Sequence, residues 1–168
     1  DNVAVVHITN AYGAGLADAF VSNMDASHIC TQIGYEETTT DFTATVESVM
    51  ADGCTSVFLV SYASDGAMII EEMASQGYSG AIYGGDGIAE VGLAWEMADP
   101  SLVDGVIASK PLAGGSMSEI GQYFAYICSA NADCAGGIYT AEAFDAVTIM
   151  GFAAFTALTT PGLDAATA

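Results

Sequence analysis

The sequence predicts an α/β fold with a doubly wound parallel sheet of about five strands, and three observations predict it. Apolar runs of strand length recur through the first 110 residues. Each is followed by a turn and then by apolar residues at helical spacing. One of them, residues 55–60, is apolar almost throughout, as in strands buried on both faces of a parallel sheet. Alternation of strand and helix implies crossover connections, and crossovers imply parallel pairing.

The elements follow in order. Val3–Ile8 is a β-branched strand, and a turn at 10–15 that carries Tyr12 leads into an amphipathic helix over 16–24. Ile29–Tyr35 is the second strand. Phe42, Val46, Val49 and Met50 then fall at helical spacing behind the cap candidates Thr40 and Asp41, with Gly53 as the stop. The third strand, 55–60, opens into a loop over 61–66 with Ser61, Tyr62 and Asp65, before a helix over 68–76 that ends at Gly77. A short strand at 81–83 enters Gly84-Gly85-Asp86-Gly87, followed by a helix over 88–97 and a last strand near 103–109. Past residues 110–115, a candidate hinge, two helices come in succession without a strand between them. Ser116-x-x-Glu119 is a capping box for the first, which carries Ile120, Phe124 and Ile127. The second spans about 140–159 and aligns Phe144, Val147, Gly151, Ala154 and Leu158. Its apolar part carries Asp145 and two threonines and falls short of the ~20 residues a bilayer span needs, so it is expected to be a core helix.

Composition excludes several function classes. The chain has 168 residues, 52% of them hydrophobic, enough for a sizeable core in one domain or one large lobe. Twenty-one acidic residues face a single Lys110 and no arginine, for a formal net charge of -20. Such a surface repels phosphate backbones and anionic lipid heads, which argues against binding to nucleic acid or to a membrane surface, and no direct membrane insertion is expected. It fits salty surroundings, where screening softens self-repulsion. The sequence opens without a charged segment followed by an apolar one, as a mature or trimmed chain would. Four cysteines show no CxxC spacing, so no metal site is expected from them, and no cofactor is expected either. Cys128 and Cys134 flank a polar stretch of small residues and are placed to staple a surface loop, which points to an oxidising compartment. Cys30 and Cys54 form either a second bridge or two buried thiols. His7 and His28 lie in apolar runs and read as packing residues.

The candidate site lies in the loops after the first, third and fourth strands. Asp86 sits among three glycines and either caps the helix that follows or receives a cation. In a doubly wound sheet the loops bearing Tyr12, then Ser61, Tyr62 and Asp65, then Asp86 share one edge. A carboxylate, phenols and hydroxyls together suit a small zwitterion, such as an amino-acid-like ligand. Enzyme chemistry lacks parts. Tyr12-Gly13-Ala14-Gly15 resembles the start of a dinucleotide fingerprint, but Asp18 stands at the third glycine position and would oppose a pyrophosphate. No phosphate loop or nucleophile elbow occurs, Lys110 is the lone anion-stabilising side chain, and no histidine falls in these loops.

Four segments occur in an order and spacing that resemble one family: residues 3–16, Thr40-Asp41-Phe42, residues 61–66 and residues 82–87, with residues 140–147 fitting as well. The chain is similar to the type I periplasmic binding proteins of branched-chain amino acid ABC transporters, the leucine/isoleucine/valine-binding family. The resemblance implies two α/β lobes that close on an amino acid, of which this chain holds the second. Residues 1–112 would be that lobe, and 113–168 a hinge and helical segment that packs on an absent first lobe. By motif, Asp86 would take the ligand ammonium, Tyr62 its polar end, and Tyr12 would line the cleft. Phe144 falls where many members have tyrosine and so lacks a hydroxyl. The implied partner is an ABC transporter permease and the implied location periplasmic or extracellular. Uncovered faces at Phe124, Val147 and Leu158 would favour self-association. The alternatives are an extracellular ligand-sensing domain of a receptor or regulator with the same fold, and, less in keeping with the residues, an enzyme on a flavodoxin-like sheet.

Overall fold

The structure, a computed structural model, describes residues 2–89, 91–110, 122, 123, 126, 128, 129 and 140–159. Valine and isoleucine are stiff at χ1 and pack well on a pleated surface. They dominate Val3–Ile8 (β1) and recur in Ser56–Val60 (β3) and Ile29–Tyr35 (β2). With Ala81–Gly84 (β4) and Ile107–Ala108 (β5) these form one sheet in the order β2-β1-β3-β4-β5, with every neighbouring pair parallel. The helices of the first unit are Ala11–Asn23 (α1), Thr43–Ala51 (α2), Ala63–Ser75 (α3) and Val91–Trp95 (α4). The expected α/β class with a doubly wound parallel sheet is what the chain adopts. It divides into two compact units, Asp1–Lys110 and Pro111–Ala168.

In the first unit one core holds Val6, Ile8, Val57 and Leu59 from the strands against Val46 and Val49 of α2, Ile69, Ile70 and Met73 of α3, and Leu93 of α4. Each such side chain, fully removed from water, contributes roughly 1.5–3 kcal/mol. Phe58 points to the opposite face, since side chains alternate along a strand, and stacks on Phe20 of α1 at 4.2 Å between ring centroids. Past α1, this face carries a groove among the described residues of the first unit. Tyr83 and Ile107, in register on β4 and β5, are 43% and 62% exposed, and an apolar groove of about 560 Å³ lies between them, Phe58, Phe20 and Met24.

Several element boundaries differ from expectation, each for a local reason. Helix α1 starts at Ala11 rather than near 16, because the Asn10 side-chain oxygen accepts the Gly13 N–H at 3.0 Å and caps it. Helix α3 starts at Ala63, because Asp65 reaches back to the Tyr62 N–H at 3.1 Å. The helix expected over 88–97 is a 3-10 turn at Asp86–Ile88 followed by the short α4. The last strand is trimmed to two residues, since Pro100 opens a 3-10 turn at Pro100–Val103 capped by Asp99. Gly53 and Gly77 end α2 and α3 in the left-handed region, at φ +68° and +79°.

Cys30 and Cys54 form a disulfide with Cα atoms 6.0 Å apart, so the bridge is the alternative realised. It ties β2 to the residues entering β3. Cys128 is also disulfide-bonded, while its expected partner Cys134 lies outside the described residues. His7 is buried within β1, as read, whereas His28 ends a 3-10 turn at Ala26–His28.

In the second unit Thr140–Thr159 (α5) is a 20-residue helix. Val147, Ile149, Met150, Phe152 and Phe155 are 61–68% exposed, so it is not the core helix expected. Among the described residues no helix is long and apolar enough to cross a membrane. Phe144 is half-buried with its ring 6.3 Å from that of Tyr123. The Ser116 capping box, Phe124 and the side chain of Leu158 lie outside the described residues.

Candidate functional site

Strands β1, β3 and β4 end level with one another, with His7 opposite Val60 and Leu59 opposite Gly84, so the segments that follow them emerge at one edge of the sheet. This is the edge where open α/β sheets hold ligands. Tyr12 lies in the first turn of α1, Tyr62 stands immediately before α3, and Asp86 opens the 3-10 turn after β4. The rings of Tyr12 and Tyr62 stack, with centroids 5.2 Å apart and planes 22° from parallel. The Tyr12 hydroxyl donates to Asp86 Oδ1 at 2.9 Å and accepts the Gly87 N–H at 3.1 Å. Burial pushes the Tyr12 phenol up to about 12; the Gly87 N–H opposes this, and the Asp86 carboxylate adds to it. Tyr12 is therefore a neutral donor, and Asp86, half-buried, turns its carboxylate to Tyr12. Gly85 holds the cap position of the 3-10 turn.

The glycines of this loop answer to close approach, not to unusual dihedrals. Gly85 has an ordinary φ of -78°. A Cβ there would lie 2.9 Å from the Leu16 side chain and 3.0 Å from the Tyr12 hydroxyl. One on Gly87 would run into the Ser61 carbonyl oxygen and also lie 3.0 Å from the Tyr12 hydroxyl. The loop is pressed onto Tyr12 and the end of β3, and only hydrogen fits at the contact points.

Asp65 and Ser61 serve the interior of this edge. Asp65 Oδ1 accepts the Tyr62 N–H, and its Oδ2 accepts the Tyr35 hydroxyl. Ser61 is 1% exposed, and its Oγ makes no well-formed hydrogen bond, the Tyr35 hydroxyl being the polar group beside it. Tyr62, by contrast, is 45% exposed and offers a ring face outward. Phe144 belongs to the second unit and is described there alone.

Three further residues join the constellation, and the sequence reading passed over all of them. Tyr35 closes β2, is buried, and meets Phe42 edge-on at 5.0 Å. Burial, and secondarily the hydrogen bond to Asp65, hold its phenol far above the usual tyrosine range. Asn10 Nδ2 donates to Glu37 Oε1 at 2.7 Å and lies 3.4 Å from the Tyr62 hydroxyl. Asn10 is legible as a helix cap, placed as it is between a strand and a helix. The pairings of Tyr35 and Glu37 join residues 30 and 27 positions apart, and no local pattern announces them.

Among the described residues no group of three metal-ligating side chains comes together. A half-buried carboxylate, a phenol fixed as donor and a stacked tyrosine pair, on a chain of net charge -20, suit a small cation or ammonium group.

No protein-family model matches the chain. It is 32% identical over 90 residues to the Leu/Ile/Val-binding protein homolog 3 of Brucella melitensis, an alignment that covers 52% of this chain and 24% of that protein. Among solved structures it superposes on a leucine-binding protein of Thermotoga maritima with a TM-score of 0.76 at 17% identity, covering 93% of this chain and 45% of that one. A branched-chain amino acid transporter substrate-binding protein of Streptococcus pneumoniae, solved with isoleucine, gives a TM-score of 0.71 at 15% identity, covering 90% and 44%. The chain thus spans less than half the length of these proteins, and its sheet matches one lobe of theirs.

Proposed function

Since the chain resembles the type I periplasmic binding proteins of the leucine/isoleucine/valine-binding family in sequence and fold, we propose that it is part of a solute-binding component of an ABC importer. In this reading it supplies the second lobe, residues 1–112, of a cleft that closes on an amino acid, branched-chain or similar. Residues 113–168 are the hinge and helical segment that meets the other lobe. The protein acts by binding rather than by catalysis, its partner is a membrane permease, and it works in the periplasm or outside the cell. A disulfide between Cys30 and Cys54 accords with that setting.

The observation that carries the reading is Asp86 held against the Tyr12 hydroxyl at 2.9 Å beside the Tyr12–Tyr62 stack. An ammonium at Asp86 gains a charge-assisted hydrogen bond, and the tyrosine faces cover the carbon next to it. Asp65 and Ser61, turned inward, shape this surface.

The test is calorimetric titration of the complete two-lobed protein with leucine, isoleucine, valine and other amino acids. Asp86→Asn keeps the size of the side chain and removes its charge. A lost hydrogen bond to a charged group is worth roughly 1.5–3 kcal/mol, so affinity should fall about 10- to 100-fold. Unchanged affinity would overturn the ammonium assignment.

A further inference from the structure

We propose that the carboxyl end of β2, through Tyr35 and Glu37, sets the position of the Tyr62 ring, making both of them positioning residues for the ligand surface. The inference rests on the reading of the Tyr12–Tyr62 pair as that surface.

Tyr62 is gripped at its two ends by different side chains. Its N–H is held by Asp65 Oδ1, and its hydroxyl lies 3.4 Å from Asn10 Nδ2. Each of these holders is itself held from β2. The Tyr35 hydroxyl, on the last residue of that strand, donates to the other oxygen of Asp65. Glu37 Oε1, two residues further on, accepts from the Asn10 amide at 2.7 Å. Strand β2 is an edge strand that pairs with β1 alone, yet its end reaches the segments following both β1 and β3.

Tyr35 is 5% exposed, so it acts on a ligand only through Asp65. A carboxylate with both oxygens engaged has one orientation. Without the Tyr35 hydroxyl, Asp65 is free to turn toward water, where it is better solvated, and the Tyr62 N–H loses its acceptor. Glu37 orients Asn10 in the same way. Its strong bond fixes which edge of the amide faces Tyr62, while the Asn10 Oδ1 stays on the Gly13 N–H as the cap of α1. Tyr62 is 45% exposed, so packing holds its ring on one side only, and these two chains of hydrogen bonds decide where its face lies.

Proton NMR of the 168-residue chain without any ligand tests the proposal, through the mutual ring-current shifts of the Tyr12 and Tyr62 ring protons. Tyr35→Phe removes one oxygen and should move both sets toward unstacked values, while the methyl signals of Val57 and Leu59 stay dispersed. Glu37→Ala should do the same, and Glu37→Gln, which still accepts from Asn10, should restore the parent spectrum. Val49→Ala, a core change in α2, serves as the control and should leave the ring signals in place despite lower stability. Ring signals unmoved by Tyr35→Phe and Glu37→Ala, or moved equally by Val49→Ala, would overturn the proposal. Should Tyr35→Phe fail to fold, the comparison of Glu37→Ala with Glu37→Gln decides, because Glu37 is exposed. No ligand enters the measurement, so its failure is distinct from failure of the Asp86 assignment.

Discussion

The Tyr12 hydroxyl is bound on two sides, donating to Asp86 and accepting from Gly87, and this arrangement governs when it ionises. An ordinary tyrosine loses its proton near pH 10, at about the value expected in the unfolded chain. In the folded chain Tyr12 does so at about 12. The folded value is the higher one, so stability that is complete below about pH 10 is lost as pH rises from about 10 through about 12. Circular dichroism of alkaline unfolding checks this: Tyr12→Phe should lose less stability across that window than the parent. An identical loss would mean that the phenol is not held as described. The same residue shows how much of the site the sequence carries. Tyr12, Tyr62 and Asp86 are found from sequence because each follows a recognisable strand, and strand ends in a parallel sheet share an edge. Asp65 is found there too, but its direction is not, since nothing local says that a buried phenol 30 positions earlier will claim it.

At the level of strands and helices, the Cys30–Cys54 disulfide is a covalent constraint between elements. Cys30 and Cys54 are separated by 24 positions, and between them lie most of β2 and all of α2. Closing a loop of that length reduces the entropy of the unfolded chain by an amount worth about 3.5 kcal/mol in the simplest model. A Cys30→Ala, Cys54→Ala double variant should therefore unfold at markedly lower urea concentration with an unchanged native spectrum, and a midpoint within error of the parent would refute the estimate. The strands are legible because β-branched runs have one comfortable conformation. Helix starts are less so. Asn10 and Asp65 begin α1 and α3 several residues before their apolar spacing does, since a cap supplies hydrogen bonds where the stripe facing the core has not yet begun. The shortness of β5 follows from the 3-10 turn that Pro100 opens and from Gly105 in the left-handed region at φ +90°, which keep the chain out of the sheet until Ile107.

At the scale of the molecule, the second unit carries an uncovered apolar helix, with Val147, Ile149, Met150, Phe152 and Phe155 all more than half exposed. Contiguous apolar surface of this kind drives association in water. Sedimentation velocity of the 168-residue chain should show concentration-dependent self-association. The change Phe152→Glu with Phe155→Glu should weaken it, both by removing apolar area and by adding charge to an already anionic chain. A parent that sediments as a monomer at all concentrations would count against this.

The place of β1 inside the sheet has a consequence for biosynthesis. It pairs with β2 on one side and β3 on the other, and both lie later in the chain. On the ribosome the six residues Val3–Ile8 emerge before either neighbour exists, and their second edge stays unpaired until Val60 has been made. All six are buried in the finished fold. A short, β-branched, nearly uncharged segment is also the composition most prone to stack with copies of itself. The stretch thus stays uncovered on its second edge for as long as the chain takes to grow from Ile8 to Val60.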